Sequence, residues 1–89
     1  MSNAQSLGDM LAGGATVVSP MSAAVWKITC NPGDVVKTAE DVVVVLEAMK
    51  TEVNVPAGEE NVGRKIRGVG KGIKEGTVVR PGDVIVLLE

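Results

Sequence analysis

The 89-residue sequence has no histidine, no phenylalanine and no tyrosine, and only one tryptophan and one cysteine. Without histidine, the usual nucleophile triads and most catalytic zinc sites are excluded. The single Cys30 permits no internal disulfide, which fits a reducing compartment and sets the expectation of a cytoplasmic protein. As a nucleophile Cys30 has no histidine to activate it, so it is expected as a small buried apolar residue in a strand ahead of Asn31-Pro32-Gly33. No apolar run approaches the ~18 to 20 residues of a membrane-spanning helix. A net charge of −2 and a pI near 5.1 give no electrostatic case for nucleic acid or an anionic membrane as partner.

What is present is aliphatic. Apolar residues make up 45% of the chain, and valine alone accounts for seventeen positions. Stiff, β-branched side chains of that kind favour a β-rich core. At this length the chain is one small domain with no room for a second catalytic one. Trp26, beside Val25 and Ile28 in a short β-segment, is expected to pack against the core or a neighbouring domain. Asp34 and Asp83 each follow Pro-Gly, where a short acceptor side chain closes a turn.

The most informative stretch is Glu47-Ala48-Met49-Lys50-Thr51-Glu52. It lies between the β-branched run Asp41–Leu46 and the alternating segment Thr51-Glu52-Val53-Asn54-Val55, which places Lys50 at a hairpin tip. With Met49 and Lys50 as the central residues of a two-residue turn, Ala48 faces Thr51, Glu47 faces Glu52, Leu46 faces Val53 and Val44 faces Val55. The inward set is then Val42, Val44, Leu46, Val53 and Val55. Neither Met nor Lys favours the positive φ of a primed turn, and Glu47 opposite Glu52 sets like charges together. A locally unfavourable choice in an otherwise consistent sequence marks a place where function is expected.

The chain also repeats itself. Asp41–Glu47 aligns without a gap on Asp83–Glu89, and Gly33-Asp34-Val35-Val36-Lys37 aligns on Gly76-Thr77-Val78-Val79-Arg80. Less cleanly, Val25–Ile28 can be laid on Val62–Ile66. Two such halves of about four short strands predict an all-β fold, a flattened barrel or sandwich of two four-stranded antiparallel sheets with pseudo-twofold symmetry. The first repeat runs on into Ala48-Met49-Lys50 while the second stops at Glu89, so one lysine-bearing tip is expected. The Gly-rich stretch Arg67–Lys74 reads as an expanded loop, and it lacks the residue order and context of a phosphate cradle. Met1-Ser2-Asn3-Ala4 resembles the scar of an expression vector. Gln5–Ala12, with Leu7, Met10 and Leu11 at helical spacing, reads as a short helix or a linker, giving boundaries of 1–14 for this segment and 15–89 for the domain.

Ala48-Met49-Lys50 between two strands, flanked by Glu47 and Glu52, resembles the attachment motif of the biotinyl/lipoyl domain family, in its biotin carboxyl carrier branch. The order Ser19-Pro20-Met21, Val25-Trp26-Lys27-Ile28, Asn31-Pro32-Gly33-Asp34, the lysine hairpin, then Arg80-Pro81-Gly82-Asp83 is similar to that of carrier domains, so about 15–89 is covered. The resemblance implies biotin in amide linkage to Lys50, with Ala48, Met49, Glu47, Thr51 and Glu52 as recognition positions for a biotin protein ligase. It implies a carrier that is not itself catalytic. A biotin carboxylase domain, using ATP and bicarbonate, and a carboxyltransferase domain of the same polypeptide or complex would be its partners. Thr51 after the lysine, together with Ser19–Lys27, looks most like the carrier domain of urea carboxylase, often part of a urea amidolyase. The alternatives are the carrier of an acyl-CoA or pyruvate carboxylase, a lipoyl carrier, against which Met49 argues, and a β-sandwich interaction module with no prosthetic group. Ala24, where the carrier pattern often has glycine, and the Gly-rich loop depart from the family.

Overall fold

The valine run after Asp41 forms the longest strand, and the rest of the chain is organised around it. A computed structural model of the protein describes residues 15–89; the segment 1–14 lies outside the described residues. Seven strands follow in order: β1 Ala15–Val18, β2 Ala23–Ile28, β3 Val42–Ala48, β4 Thr51–Pro56, β5 Ile66–Val69, β6 Val78–Val79 and β7 Val84–Leu88. They form two antiparallel sheets, one of four strands in the order β4-β3-β2-β6 and one of three in the order β1-β7-β5. The all-β, two-sheet architecture expected from the sequence is what forms. The second sheet has three strands rather than four, because the segment that would complete it makes only a single bridge, Val35 to Lys65. That segment is held between a turn closed by Asp34 and another closed by Asp41.

The internal repeat is visible bond for bond. Val25 N–H donates to the Thr77 carbonyl and Gly76 N–H to the Val25 carbonyl; Ile66 N–H donates to the Asp34 carbonyl and Gly33 N–H to the Ile66 carbonyl. These two exchanges match when Gly33 is laid on Gly76, as the sequence repeat has it. They also correct the weaker alignment of the early strands: Val25 corresponds to Ile66, not to the segment beginning at Val62. The register agrees, since Val25 faces Leu46 and Ile66 faces Leu88, each followed by a bulge, at Trp26 in β2 and Arg67 in β5. The turns repeat as well. Asp83 accepts the Arg80 N–H (2.9 Å) as Asp41 accepts the Lys37 N–H (2.8 Å), and Asp34 caps Asn31 N–H as Thr77 Oγ1 caps Lys74 N–H.

The core is aliphatic throughout. Val44, Leu46, Val79, Ile85, Val86 and Leu88 are fully buried between the sheets, with Val25, Val43, Val55 and Ile66 beside them. Of the five residues expected to face inward from the hairpin, Val44, Leu46 and Val55 are in this core, whereas Val42 and Val53 are only half-buried. Val42 starts its strand at a register shift, and Val53 sits on the edge strand. The same shift brings Val43 into the core next to Val44, breaking strict alternation. Cys30 packs partly buried against the core, but beyond the end of β2 rather than within a strand. Trp26 does not join the core: it is 52% exposed at its bulge. In the Gly-rich stretch, Arg67, Gly68 and Val69 belong to β5, and irregular backbone begins only at Gly70. Gly70 passes directly against the Val84 carbonyl, where a Cβ would collide.

The topology sets the two ends of the molecule. β2 leaves the end where Ala24 faces Glu47, and β6 returns antiparallel to it. The turn through Pro81 crosses to the other sheet at that same end, so β7 starts there and runs away from it. Ala15, paired with Leu88, therefore lies at the end opposite Lys50.

Candidate functional site

At the tip, β3 runs into β4 through Met49 and Lys50, with φ of 52° and 65°. These are the only non-glycine residues at positive φ among the described residues, and two consecutive positive values are what a two-residue type I′ turn requires. The pairing is the one expected from the sequence: Ala48 with Thr51, Glu47 with Glu52, Leu46 with Val53 and Val44 with Val55. The buried lower part of the hairpin anchors it, and the tip stands clear of it. Met49 is 96% exposed and Lys50 is exposed beside it. All six of the expected site residues, Glu47, Ala48, Met49, Lys50, Thr51 and Glu52, thus share one hairpin end.

The acidic flank continues across the sheet. Glu52 faces Glu47, Glu47 faces Ala24 and Ala24 faces Val78, so these four make a row on the outer face of the four-stranded sheet. Beside that row an open groove of about 570 Å³ is lined by Ala24, Trp26, Lys27, Glu47 and Glu75. Nothing in the sequence pattern joins Glu75 or Val78 to the lysine. The available signal was Trp26, a lone aromatic in a valine-built chain.

A second groove, of about 420 Å³, lies at the other end of β3 and is lined by Cys30, Asp34, Val36, Lys37, Asp41 and Val42 among others. At about 3.4 Å per residue along β3, it is some 20 Å or more from the lysine. Burial pushes the Cys30 thiol up, and the Asp34 carboxylate adds to the shift, so Cys30 stays protonated and poorly nucleophilic. Asp41 is held below the ordinary carboxylate range by the N–H groups of Lys37 and Thr38 and the Thr38 hydroxyl. Among the described residues, no cluster of acidic, histidine or cysteine side chains could hold a metal ion, and no helix is long and apolar enough to cross a membrane.

The chemistry that the hairpin tip offers is therefore that of an exposed primary amine on a two-residue turn. A family model described as "Biotin-requiring enzyme", covering biotinyl and lipoyl domains, matches residues 14–88. The chain belongs to that family. Biotin, held covalently on a lysine, is the cofactor of this family, and the protein is a biotin carrier domain. Among solved structures, the urea carboxylase of Kluyveromyces lactis shares 29% identity over 85% of this chain, with a TM-score of 0.72. A single-chain, multi-domain long-chain acyl-CoA carboxylase shares the fold at 24% identity over 85% of this chain, with a TM-score of 0.68. The carrier domain spans only 6% and 7% of the length of those two proteins. The exposed amine fits the family's cofactor: a group joined to it meets no wall of the domain.

Proposed function

We propose that Lys50 is the biotin attachment site and that this domain carries a carboxyl group between two active sites of a larger carboxylase, the best-supported parent being urea carboxylase. The observation that carries this reading is the solvent-exposed Lys50 on a primed turn, in a chain of a biotin-requiring family. The lysine amine, once deprotonated, is the nucleophile toward the activated carboxyl carbon of biotin; an amide forms and the activating group leaves. A biotin protein ligase would supply that activation. Bound biotin supplies the site that accepts and releases the carboxyl group, and this chain supplies presentation. The paired strands fix the backbone of Lys50, and the core beneath Leu46 holds the hairpin in place. Tethering turns each encounter with a partner active site into an intramolecular one, at effective concentrations on the order of millimolar.

Urea as acceptor is favoured by the higher identity to urea carboxylase, together with Thr51 after the lysine. An acyl-CoA carboxylase is the second reading, supported by the shared fold. Intact mass after co-expression with a biotin ligase tests the attachment site. A single biotin-sized increment is expected, lost in Lys50→Arg; a lipoyl increment, or none with an active ligase, refutes it. In the full-length enzyme, urea is expected to stimulate bicarbonate-dependent ATP hydrolysis. Stimulation by an acyl-CoA or pyruvate instead would assign a different acceptor.

A further inference from the structure

The two halves close their corresponding loops with different side chains. Asp34 N–H donates to the Asn31 carbonyl while the Asp34 carboxylate accepts the Asn31 N–H; Thr77 N–H donates to the Lys74 carbonyl while Thr77 Oγ1 accepts the Lys74 N–H. Asn31 therefore corresponds to Lys74, and Cys30 to Ile73. Both of the latter pack partly buried against the core. Where the second half places isoleucine the first places the smaller cysteine, and the groove of about 420 Å³ lies open beside it. The apolar walls of that groove are Cys30, Val35, Val36, Val42, Val43 and Ile66, and Val35 is 48% exposed. The two carboxylates on the groove already serve their own turns, Asp34 by accepting from Asn31 N–H and Asp41 by accepting from Lys37 N–H, Thr38 N–H and the Thr38 hydroxyl. What the groove offers a further group is aliphatic contact, with Lys37 beside it.

We infer that this groove seats the apolar stripe of the chain's own N-terminal segment, Leu7, Met10 and Leu11, which fills the place that Ile73 fills in the other half. The segment lies outside the described residues. Two arguments select it. The first is reach. Ala15 pairs with Leu88 and Leu88 with Ile66, so Ala15 stands two strand spacings, about 10 Å, from one wall of the groove. The four residues from Leu11 to Ala15 extend to about 14 Å and include Gly13-Gly14, where the chain can turn back without steric cost. The second is chemistry. Leu7, Met10 and Leu11 fall at i, i+3 and i+4, one face of a helical turn, and Asp9 between them is an acidic partner for Lys37. Residues seated in this way no longer act as a loose tether, so any free linker begins ahead of Leu7 rather than at Ala15. The inference does not depend on Lys50 being the attachment site.

Alkylation of the 89-residue protein by iodoacetamide at alkaline pH, followed by intact mass, reads the seat directly, because Cys30 is its only thiol. Leu7→Ser combined with Leu11→Ser is expected to speed alkylation about fivefold or more, since protection follows the fraction of time that the segment is seated. Val78→Ser, at an exposed position of the other half, is expected to leave the rate within about twofold of the parent protein. Thermal unfolding confirms that each variant is folded. Methyl NMR spectra of the parent protein are expected to show cross-peaks from Leu7, Met10 or Leu11 to Val35 or Val42, and Cys30→Ile, which fills the groove as Ile73 does, is expected to abolish them. If the parent protein is alkylated as fast as the double variant, or shows no such cross-peaks, the inference is overturned while the carrier assignment stands. Cross-peaks that survive in a folded Cys30→Ile put the segment elsewhere and overturn it as well. Protection or cross-peaks that grow with protein concentration give the groove to a second copy of the chain, with the same result.

Discussion

Met49 and Lys50 hold a backbone conformation that L-residues occupy at a cost of roughly 1–2 kcal/mol each. Asparagine tolerates it better, so Met49→Asn is expected to raise stability by up to about 1 kcal/mol in denaturant unfolding while slowing biotin incorporation. Met49→Leu keeps the shape of the side chain. It is expected to leave stability within about 0.5 kcal/mol, because Met49 is 96% exposed, and still to alter modification or transfer. Unchanged rates in both variants would remove Met49 from the recognition set. The residue-level signal was legible in the sequence because it was a misfit: two residues poorly suited to their turn, with Glu47 and Glu52 opposed below them. Trp26 was legible as unusual but not as exposed. Its neighbours Val25 and Ile28 suggested burial, but Val25 faces inward, so alternation itself places Trp26 on the outer face, and the bulge keeps Lys27 outward after it.

The hairpin's register could be counted outward from the turn, and all four expected pairs form. Four successive valines, Val42 to Val45, carry no phase of their own, however. Alternation predicts which of them face inward only if the strand is regular, and the register shift near Val42 makes Val43 and Val44 consecutive core residues. Burial depth then ranks the consequences of substitution. Leu46→Ala, at a fully buried position, is expected to cost about 2–5 kcal/mol by chemical denaturation. Val53→Ala, directly across from it on the edge strand, is expected to cost less than half as much, since Val53 is half-buried and its surroundings can relax. Equal losses would mean that the tip end of the hairpin is more tightly enclosed than its exposure indicates. Biotin incorporation should fall in Leu46→Ala only as far as the hairpin loosens.

For the molecule as a whole, the repeat carried most of the architecture: two halves, two sheets and one lysine tip follow from Asp41–Glu47 matching Asp83–Glu89. The strand count did not follow, because Val35-Val36 and Val78-Val79 are alike in sequence but differ in what lies beside them. Val78-Val79 finds β2; Val35-Val36 meets the chain just after the turn at Val62-Gly63 and makes a single bridge, Val35 to Lys65. The turn closed by Asp41 also contributes to the acid response. Asp41 titrates lower in the folded state than its ordinary value of 3.8, so the stabilisation it gives is complete above that value. It is lost as pH falls through the lower folded value. The thermal midpoint should accordingly drop in acid, and Asp41→Ala should lower it at neutral pH while shrinking the further acid-induced drop; an unchanged acid drop in the variant would assign that sensitivity elsewhere. The placement of Ala15 opposite Lys50 has a mechanical consequence. Any polypeptide continuing from Ala15 or Glu89 pulls on the far end of the domain, so the domain is a stiff lever. Its strands, about 20 Å long, add their own length to the radius through which the lysine can be swept, and the hairpin core keeps that length from being lost to bending.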